Sequence, residues 1–403
     1  MSWFLRMVLF LLPAILAAYA YVGWRLAAAI RQSTSWSRPR VRWGTIAVVA
    51  YLNLYPLLLL GTALFRMSAV NSALRGGRPW LDAVATFPFW VGLVVVLELL
   101  PLLLVMDLAR LVCWPWFQKH RVSWKKWQAA ISISLFAIMV VYVITRVVLD
   151  TYSVRLTEHE ARIAELPATL EGFRIVQLSD LQADAYTGAR KMQPYIDLAN
   201  AQKPDLIVFG GDLVTRGTEH IVEGAKMIGG LHARIGAYAC LGDHDYWADP
   251  QFIAKNLREN GVTTVEDSVL TLSASPSQIS LTIVTNVYNR RPSSATLERL
   301  RQQRPDHAAV HIVLSHQPTD DLIQFAQKHG YHFLLAGHTH GGQVVFKPFG
   351  IPLNVSQTET RYYSGFFKIG NLFLSVTNGL GLTFAPFRYQ APAEVTLITL
   401  RRA

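Results

Sequence analysis

The sequence predicts an α/β domain carried behind a four-helix transmembrane region, and three observations lead there. Four apolar stretches before residue 150 are long enough to cross a bilayer. From about residue 170, short apolar runs alternate with amphipathic ones. Five of those runs end on an Asp or a His.

The apolar stretches come first. A hydrocarbon core needs about 20 residues of helix. The stretches run over about 3–23, 45–65, 86–107 and 129–149, within a transmembrane region of residues 1–150. Half the chain is hydrophobic (51%) and 16% is charged, against about a quarter charged in a soluble domain. The excess lies almost wholly in this first third. Pro13, Pro56 and Pro101 are tolerable in such helices where neighbours satisfy the freed carbonyls. Loops one and three carry ten basic residues (Arg25, Arg31, Arg38, Arg40, Arg42; Arg110, Lys119, Arg121, Lys125, Lys126), and loop two carries three, Arg66, Arg75 and Arg78, offset by Asp82. The positive-inside rule then puts loops one and three in the cytoplasm and both termini outside. The large domain is therefore expected on the extracytoplasmic side of a bacterial inner membrane. Residues 1–20 end in AYA, as signal peptides do, but cleavage there would leave the arginine-rich loop outside.

The formal charge of +11 is mostly this membrane-flanking charge, so no nucleic-acid partner is expected. Membrane lipids are the expected partners of this region. Trp114, Trp116, Trp124 and Trp127 read as an interfacial aromatic belt. Glu98, in mid-span, is either a helix–helix contact or a hint of a transport pathway. Two cysteines, Cys113 and Cys240, imply no disulfide framework.

Residues 151–403 make the second domain. FRIVQLSD, DLIVFGGD, IGAYACLGD, LTIVTNV, AAVHIVLSH and YHFLLAGH predict buried strands, and FFKIGNLFLSVTNGLG and AEVTLITLRR predict two more. ARKMQPYIDLANAQ, EHIVEGAKMIGGL, PQFIAKNLREN and TDDLIQFAQKHG predict helices between them. Alternating strands and helices, with the strands nearly all apolar, argue a layered α/β domain.

What ends the strands points to chemistry. Asp180 with Gln182, Asp212, Asp243 with His244 and Asp245, His316, and His338 with His340 each follow a strand. Ligands bind at that edge of an open α/β sheet. A lone strand-terminal Asp is usually a turn former and a lone His a satisfied structural residue; five in order are not chance. Carboxylates and imidazoles without thiolates suit divalent or trivalent transition metals, with ligands enough for two ions sharing one carboxylate. Two such ions about 3.5–4 Å apart activate water and stabilise in-line displacement at phosphorus.

SD-L-Q, GGD, LGDHDYW, SHQP and GHTHGGQ, in this order, resemble the motif series of the calcineurin-like metallophosphoesterases over roughly residues 170–400. GHTHGGQ and APFRYQAPAEVTLITL are similar to the membrane-anchored bacterial branch. The resemblance implies a four-layer α/β/β/α fold and hydrolysis of a phosphomonoester, phosphodiester or pyrophosphate. It implies Asp180, Gln182, Asp212 and His340 around one metal, and Asp212 as bridge with Asp243, His316 and His338 around the second. His244 would be the acid or phosphoryl stabiliser, with Asp245 orienting its imidazole; capping of the following helix is the other reading of Asp245. Two residues depart from the family pattern. Gln182 stands for a His, which weakens the first site and favours harder ions, and Asp243 stands for an Asn, which adds negative charge. A site with two divalent ions, retuned toward Mn²⁺ or Mg²⁺ with Fe or Zn also accommodated, is expected, with a non-catalytic metal sensor or scaffold as the alternative. The substrate class is open, lipid-linked phosphoesters among the candidates. FFKIG, PFG and FAPF read either as core or as an apolar lip beside the site.

Overall fold

A computed structural model describes residues 3–65, 67, 79–383 and 385–403. The basic residues of loop two, Arg66, Arg75 and Arg78, lie outside the described residues, as does Phe384 of FAPF. The chain forms two compact units, Met1–Val148 with Phe346–Leu353, and Leu149–Val345 with Asn354–Ala403.

In the first unit, α1 (Trp3–Ser33), α2 (Arg38–Leu52), α3 (Leu54–Leu64), α4 (Phe87–Val112) and α5 (Arg121–Tyr152) carry the apolar stretches. Among the described residues, three helices are long and apolar enough to cross a membrane, or four if α2 and α3 form one span. The second stretch, expected as one helix, is a pair bent by 51° at Asn53. Pro56 explains the break: it has no N–H to donate to the Leu52 carbonyl one turn back. At the bend, Asn53 Nδ2 donates to Val49 O (2.8 Å). Pro13 and Pro101 lie inside unbroken helices. Tyr19, Val22, Leu99 and Leu103 are buried between helices. Arg25 and Asp107 form an ion pair (3.3 Å), and Asp107 also accepts from Tyr21 Oη (2.6 Å) and Gln128 Nε2 (3.3 Å). Pairing of this kind is how ionised groups persist in apolar surroundings. Sequence reading singled out Glu98 instead, because Arg25 and Asp107 fell at span ends. Trp114, Trp116 and Trp127 are exposed, as a lipid-facing belt requires. The α5 helix continues to Tyr152, past the boundary expected at 150.

The second unit holds two six-stranded sheets. The first has the order β1 (Val154–Ile163), β12 (Ala393–Arg402), β2 (Arg174–Leu178), β3 (Leu206–Phe209), β4 (Gly236–Ala239), β5 (Val262–Thr264). The second has the order β10 (Gly365–Ile369), β11 (Leu372–Val376), β9 (Phe333–Ala336), β8 (Val310–Ser315), β7 (Ser277–Val284), β6 (Ser268–Ala274). Strands β2 to β5 run parallel, as do β7, β8, β9 and β11, so the carboxyl ends of each set open on one edge.

Period-two alternation sorts their side chains into layers. Ile175, Leu206 and Val208 of the first sheet meet Leu281, Ile283, Ile312, Leu314, Phe333 and Leu335 of the second in one core. On the outer face of the first sheet, Val176, Leu178, Ile207 and Phe209 pack against α6 (Ala189–Ala201), α7 (Ile221–Gly229) and α9 (Pro250–Glu259), which follows the short α8 (Asp243–Ala248). The outer face of the second sheet packs on α10 (Ser294–Gln303) and α11 (Asp320–Lys328) through Leu300, Leu322, Ile323 and Ala326. These are the four layers α/β/β/α. The eight runs named above form strands, with FFKIGNLFLSVTNGLG making an antiparallel pair, β10 and β11, where one strand was expected; β1, β5 and β6 were not foreseen. β1 reads VRLTEHEARI, too charged for a core strand, and lies at a sheet edge.

Leu281→Ala, in the inter-sheet core, should lower the domain's unfolding free energy by about 3 kcal/mol in a urea titration of the full chain. Val222→Ala, on the exposed face of α7, should change it by less than about 0.5 kcal/mol.

Candidate metal centre

The loops leaving β2, β3, β4, β8 and β9 converge at the open edge, and glycines permit the approach. Gly211 has φ +90°, and a Cβ there would stand 2.5 Å from the backbone N of Gly242. Several of the polar residues in these loops are also held in the left-handed region: Asp180 (φ 54°), Gln182 (49°), Asp212 (58°), His338 (74°) and His340 (51°). Non-glycine residues adopt it at a cost of about 1–3 kcal/mol each, and such strain clusters at functional sites.

All seven residues expected to hold metal come together. Ligating atoms of Asp180, Asp212 and His316 lie within 4.8 Å of one another, as do those of Asp243, His316 and His338. His340 Nε2 is 3.4 Å from Asp180 Oδ1, and Gln182 Nε2 donates to Asp212 Oδ2 (2.9 Å). Each carboxylate is also held by a backbone N–H from another loop. His338 N donates to Asp180 (3.0 Å), His244 N to Asp212 Oδ1 (2.8 Å) and Tyr288 N to Asp243 Oδ1 (2.6 Å).

The imidazoles are oriented from behind. His316 Nδ1 donates to Gly210 O (2.7 Å), which leaves Nε2 toward Asp212 (3.4 Å) and Asp243 (3.3 Å). His338 places Nε2 against Glu359 (2.9 Å) and Nδ1 toward Asp243 (3.1 Å). Behind His340 stands Arg388, whose buried guanidinium donates to the carbonyls of His340, Ala391, Asn378 and Gly381. Burial and that guanidinium hold the His340 pKa well below the ordinary value, so the ring stays neutral and able to ligate.

Electrostatics define what the site takes. Burial raises Asp180, with the Asp212 charge a further cause beside the opposing imidazoles. Burial would raise Asp212 too, but His316 and His244 bring it down to about 2. Burial disfavours a charged His316, yet Asp212, Asp243 and Asp180 outweigh it and raise its pKa well above the ordinary value. Three buried carboxylates thus draw in positive charge. One buried ligating atom, Gln182 Oε1, has no hydrogen-bond partner, and His316 Nε2 faces two carboxylates. A buried carbonyl oxygen seldom stays unpaired, and with carboxylates and an imidazole that would give up its proton to a cation it makes a donor set for divalent ions. The residues therefore fit the two-metal group.

The role expected of Asp245 does not survive. Its carboxylate is not on the His244 ring: it accepts from the backbone N–H groups of Asp212 (2.8 Å), Leu213 (2.8 Å) and Gly242 (2.9 Å), the last closing the first turn of α8. Burial, reinforced by Asp212, pushes it up to about 7. Position explains this, since the third residue of a helix reaches back to the N-cap backbone. His244 Nδ1 donates instead to Thr215 O (2.5 Å), and Nε2 lies 3.2 Å from Thr383 Oγ1 and 4.0 Å from Asp212 Oδ2. Sequence reading missed Thr215, Glu359 and Arg388. APFRYQAP held the only signal for Arg388, and a Glu in a polar loop carries none.

Glu359→Gln keeps the contact but removes the charge that sustains His338. It should weaken metal affinity about 10–100-fold, measured by calorimetric titration of the metal-free full chain with Mn²⁺.

The calcineurin-like phosphoesterase family model matches residues 173–342. The metallophosphoesterase YkuE of Bacillus subtilis is 30% identical over 258 residues, 63% of this chain and 87% of that protein. Phosphodiesterase YaeI of Escherichia coli is 25% identical over 245 residues, 59% of this chain and 86% of that one. A transmembrane protein with metallophosphoesterase domain from Danio rerio is 25% identical over 286 residues, 68% of this chain and 63% of its own length. With the strand-end carboxylates and imidazoles arranged as above, this chain belongs to the calcineurin-like metallophosphoesterases, hydrolases that act on phosphoester bonds.

Proposed function

We infer that the protein is a membrane-anchored phosphoesterase with a two-metal centre, its catalytic domain outside the cytoplasm of a bacterial inner membrane. The observation that carries the reading is the buried Gln182 Oε1, without a hydrogen-bond partner, among three carboxylates and the His316 imidazole. Asp180, Gln182, Asp212 and His340 would hold one cation, and Asp212, Asp243, His316 and His338 the other. His316 touches both carboxylate groups, so it stands nearest the junction of the two positions. Bound cations would supply an activated water and neutralise charge on the phosphoryl oxygens. The carboxylate excess and the amide ligand favour Mn²⁺ or Mg²⁺.

The chain's own groups do the rest. His244 keeps its Nδ1 proton on the Thr215 carbonyl, so the proton it can pass to a leaving oxygen is the one on Nε2. Asp245 ties the Asp212 loop to the start of α8 and so fixes the spacing between Asp212 and His244. A catalytic domain tethered to a membrane meets lipid-linked phosphoesters readily, and these are the favoured substrates.

Full-length protein loaded with Mn²⁺ should hold two ions per chain and hydrolyse an aryl phosphodiester. One ion and no turnover would replace this reading with the non-catalytic sensor. Gln182→Ala should lose one ion, while Gln182→His should retain two. His244→Asn should keep both ions but lose about 10²–10⁴ in kcat, checked by elemental analysis beside steady-state kinetics.

A further inference from the structure

From Val344 to Thr358 the chain reads VVFKPFGIPLNVSQT, with Lys347 its one charge. Within it lies a closed arm. At its neck Phe346 N donates to Leu353 O (2.9 Å) and Leu353 N to Phe346 O (2.7 Å). Across the tip, Gly350 N donates to Lys347 O (3.0 Å) and Ile351 N to Pro348 O (3.1 Å). The backbone of the arm is thus largely satisfied internally while its side chains point outward. Phe349 is 71% exposed, Ile351 62%, Leu353 49% and Val355, at the foot, 40%. Core packing therefore does not account for PFG. FAPF behaves differently, since Ala385 and Phe387 are buried.

Turns exposed to water are built from Gly, Pro, Asn, Asp and Ser, without large apolar side chains at the tip. An aromatic and branched aliphatics on a self-bonded backbone, beside one lysine and no acid, suit the interfacial zone of a bilayer. The occupant is a lipid surface because Phe346–Leu353 belongs to the compact unit that carries the apolar helices. A lone cation is also what an anionic headgroup layer favours. The foot of the arm is joined to the metal-site loops. Ser356 Oγ donates to Thr339 O (2.9 Å), between His338 and His340, and Val345 N donates to Tyr389 O (2.9 Å), next to Arg388.

We propose that residues 346–355 form a membrane-inserting arm that holds the metal site at the lipid surface, so that the scissile phosphoester is carried by a membrane lipid. Insertion stands on the arm alone; the choice of substrate rests on the phosphoesterase reading.

The test uses the full chain in liposomes of phosphatidylglycerol and phosphatidylethanolamine. Phe349→Cys in a Cys113→Ser background is labelled with an environment-sensitive dye, Cys240 being buried. Brominated acyl chains should quench the dye, and water-like, unquenched emission would overturn the insertion. Separately, Phe349→Ser with Ile351→Ser should cut turnover of dioleoyl phosphatidic acid about tenfold, with bis(p-nitrophenyl) phosphate changed less than about twofold. Equal losses on both esters, or no loss on either, would overturn the arm's role in substrate delivery. Wild-type turnover of the soluble ester alone would overturn the lipid substrate. Turnover of neither would sink the phosphoesterase reading, and quenching would still judge the arm.

Discussion

Three carboxylates buried within reach of one another are the constraint that organises this domain. Asp180, Asp212 and Asp243 are each almost fully removed from water, and each would be costly there without donors. The fold answers with backbone N–H groups delivered crosswise: the β9 loop serves Asp180, α8 serves Asp212, and the loop after β7 serves Asp243. That crosswise bonding fixes the distances between the strand ends. It also demands backbone conformations that side chains dislike, which is why the left-handed residues gather here. Asp245 extends the same logic by anchoring three further N–H groups. What remains unanswered is charge, and divalent cations are the natural complement.

Much of this was legible in the chain, and the parts that were not share a cause. Strands such as LIVF and FLLA are buried on both faces, so they read as unbroken apolar runs, and the polar residues ending them could be listed in order. β1 escaped because an edge strand has no need of apolar residues on both faces. Asp245 was assigned the wrong neighbour because sequence adjacency to His244 says nothing of direction: successive helical residues point about 100° apart. Glu359 and Arg388 act on His338 and His340 from loops that have no hydrophobic period. Long-range partners of that kind emerge only from topology.

The helical unit shows the same division. Span lengths follow from hydrophobicity alone, but the 51° bend between α2 and α3 depends on where Pro56 removes a donor. The Arg25–Asp107 pair is a product of helix packing. Residues at the margins of two apolar stretches look like membrane-flanking charge until the helices are set side by side.

The position of β12 governs how the domain can be made. This strand lies between β1 and β2, pairing with β1 along ten residues from Val154–Ala393 to Ile163–Arg402. β1 follows α5 directly, so it emerges during synthesis long before the partner that separates it from β2. Until then its edge is open and the first sheet has a gap. Closure over about 230 residues is a slow, high-contact-order step, and a chain that stopped short of Ala393 would leave β1 with no sheet to join.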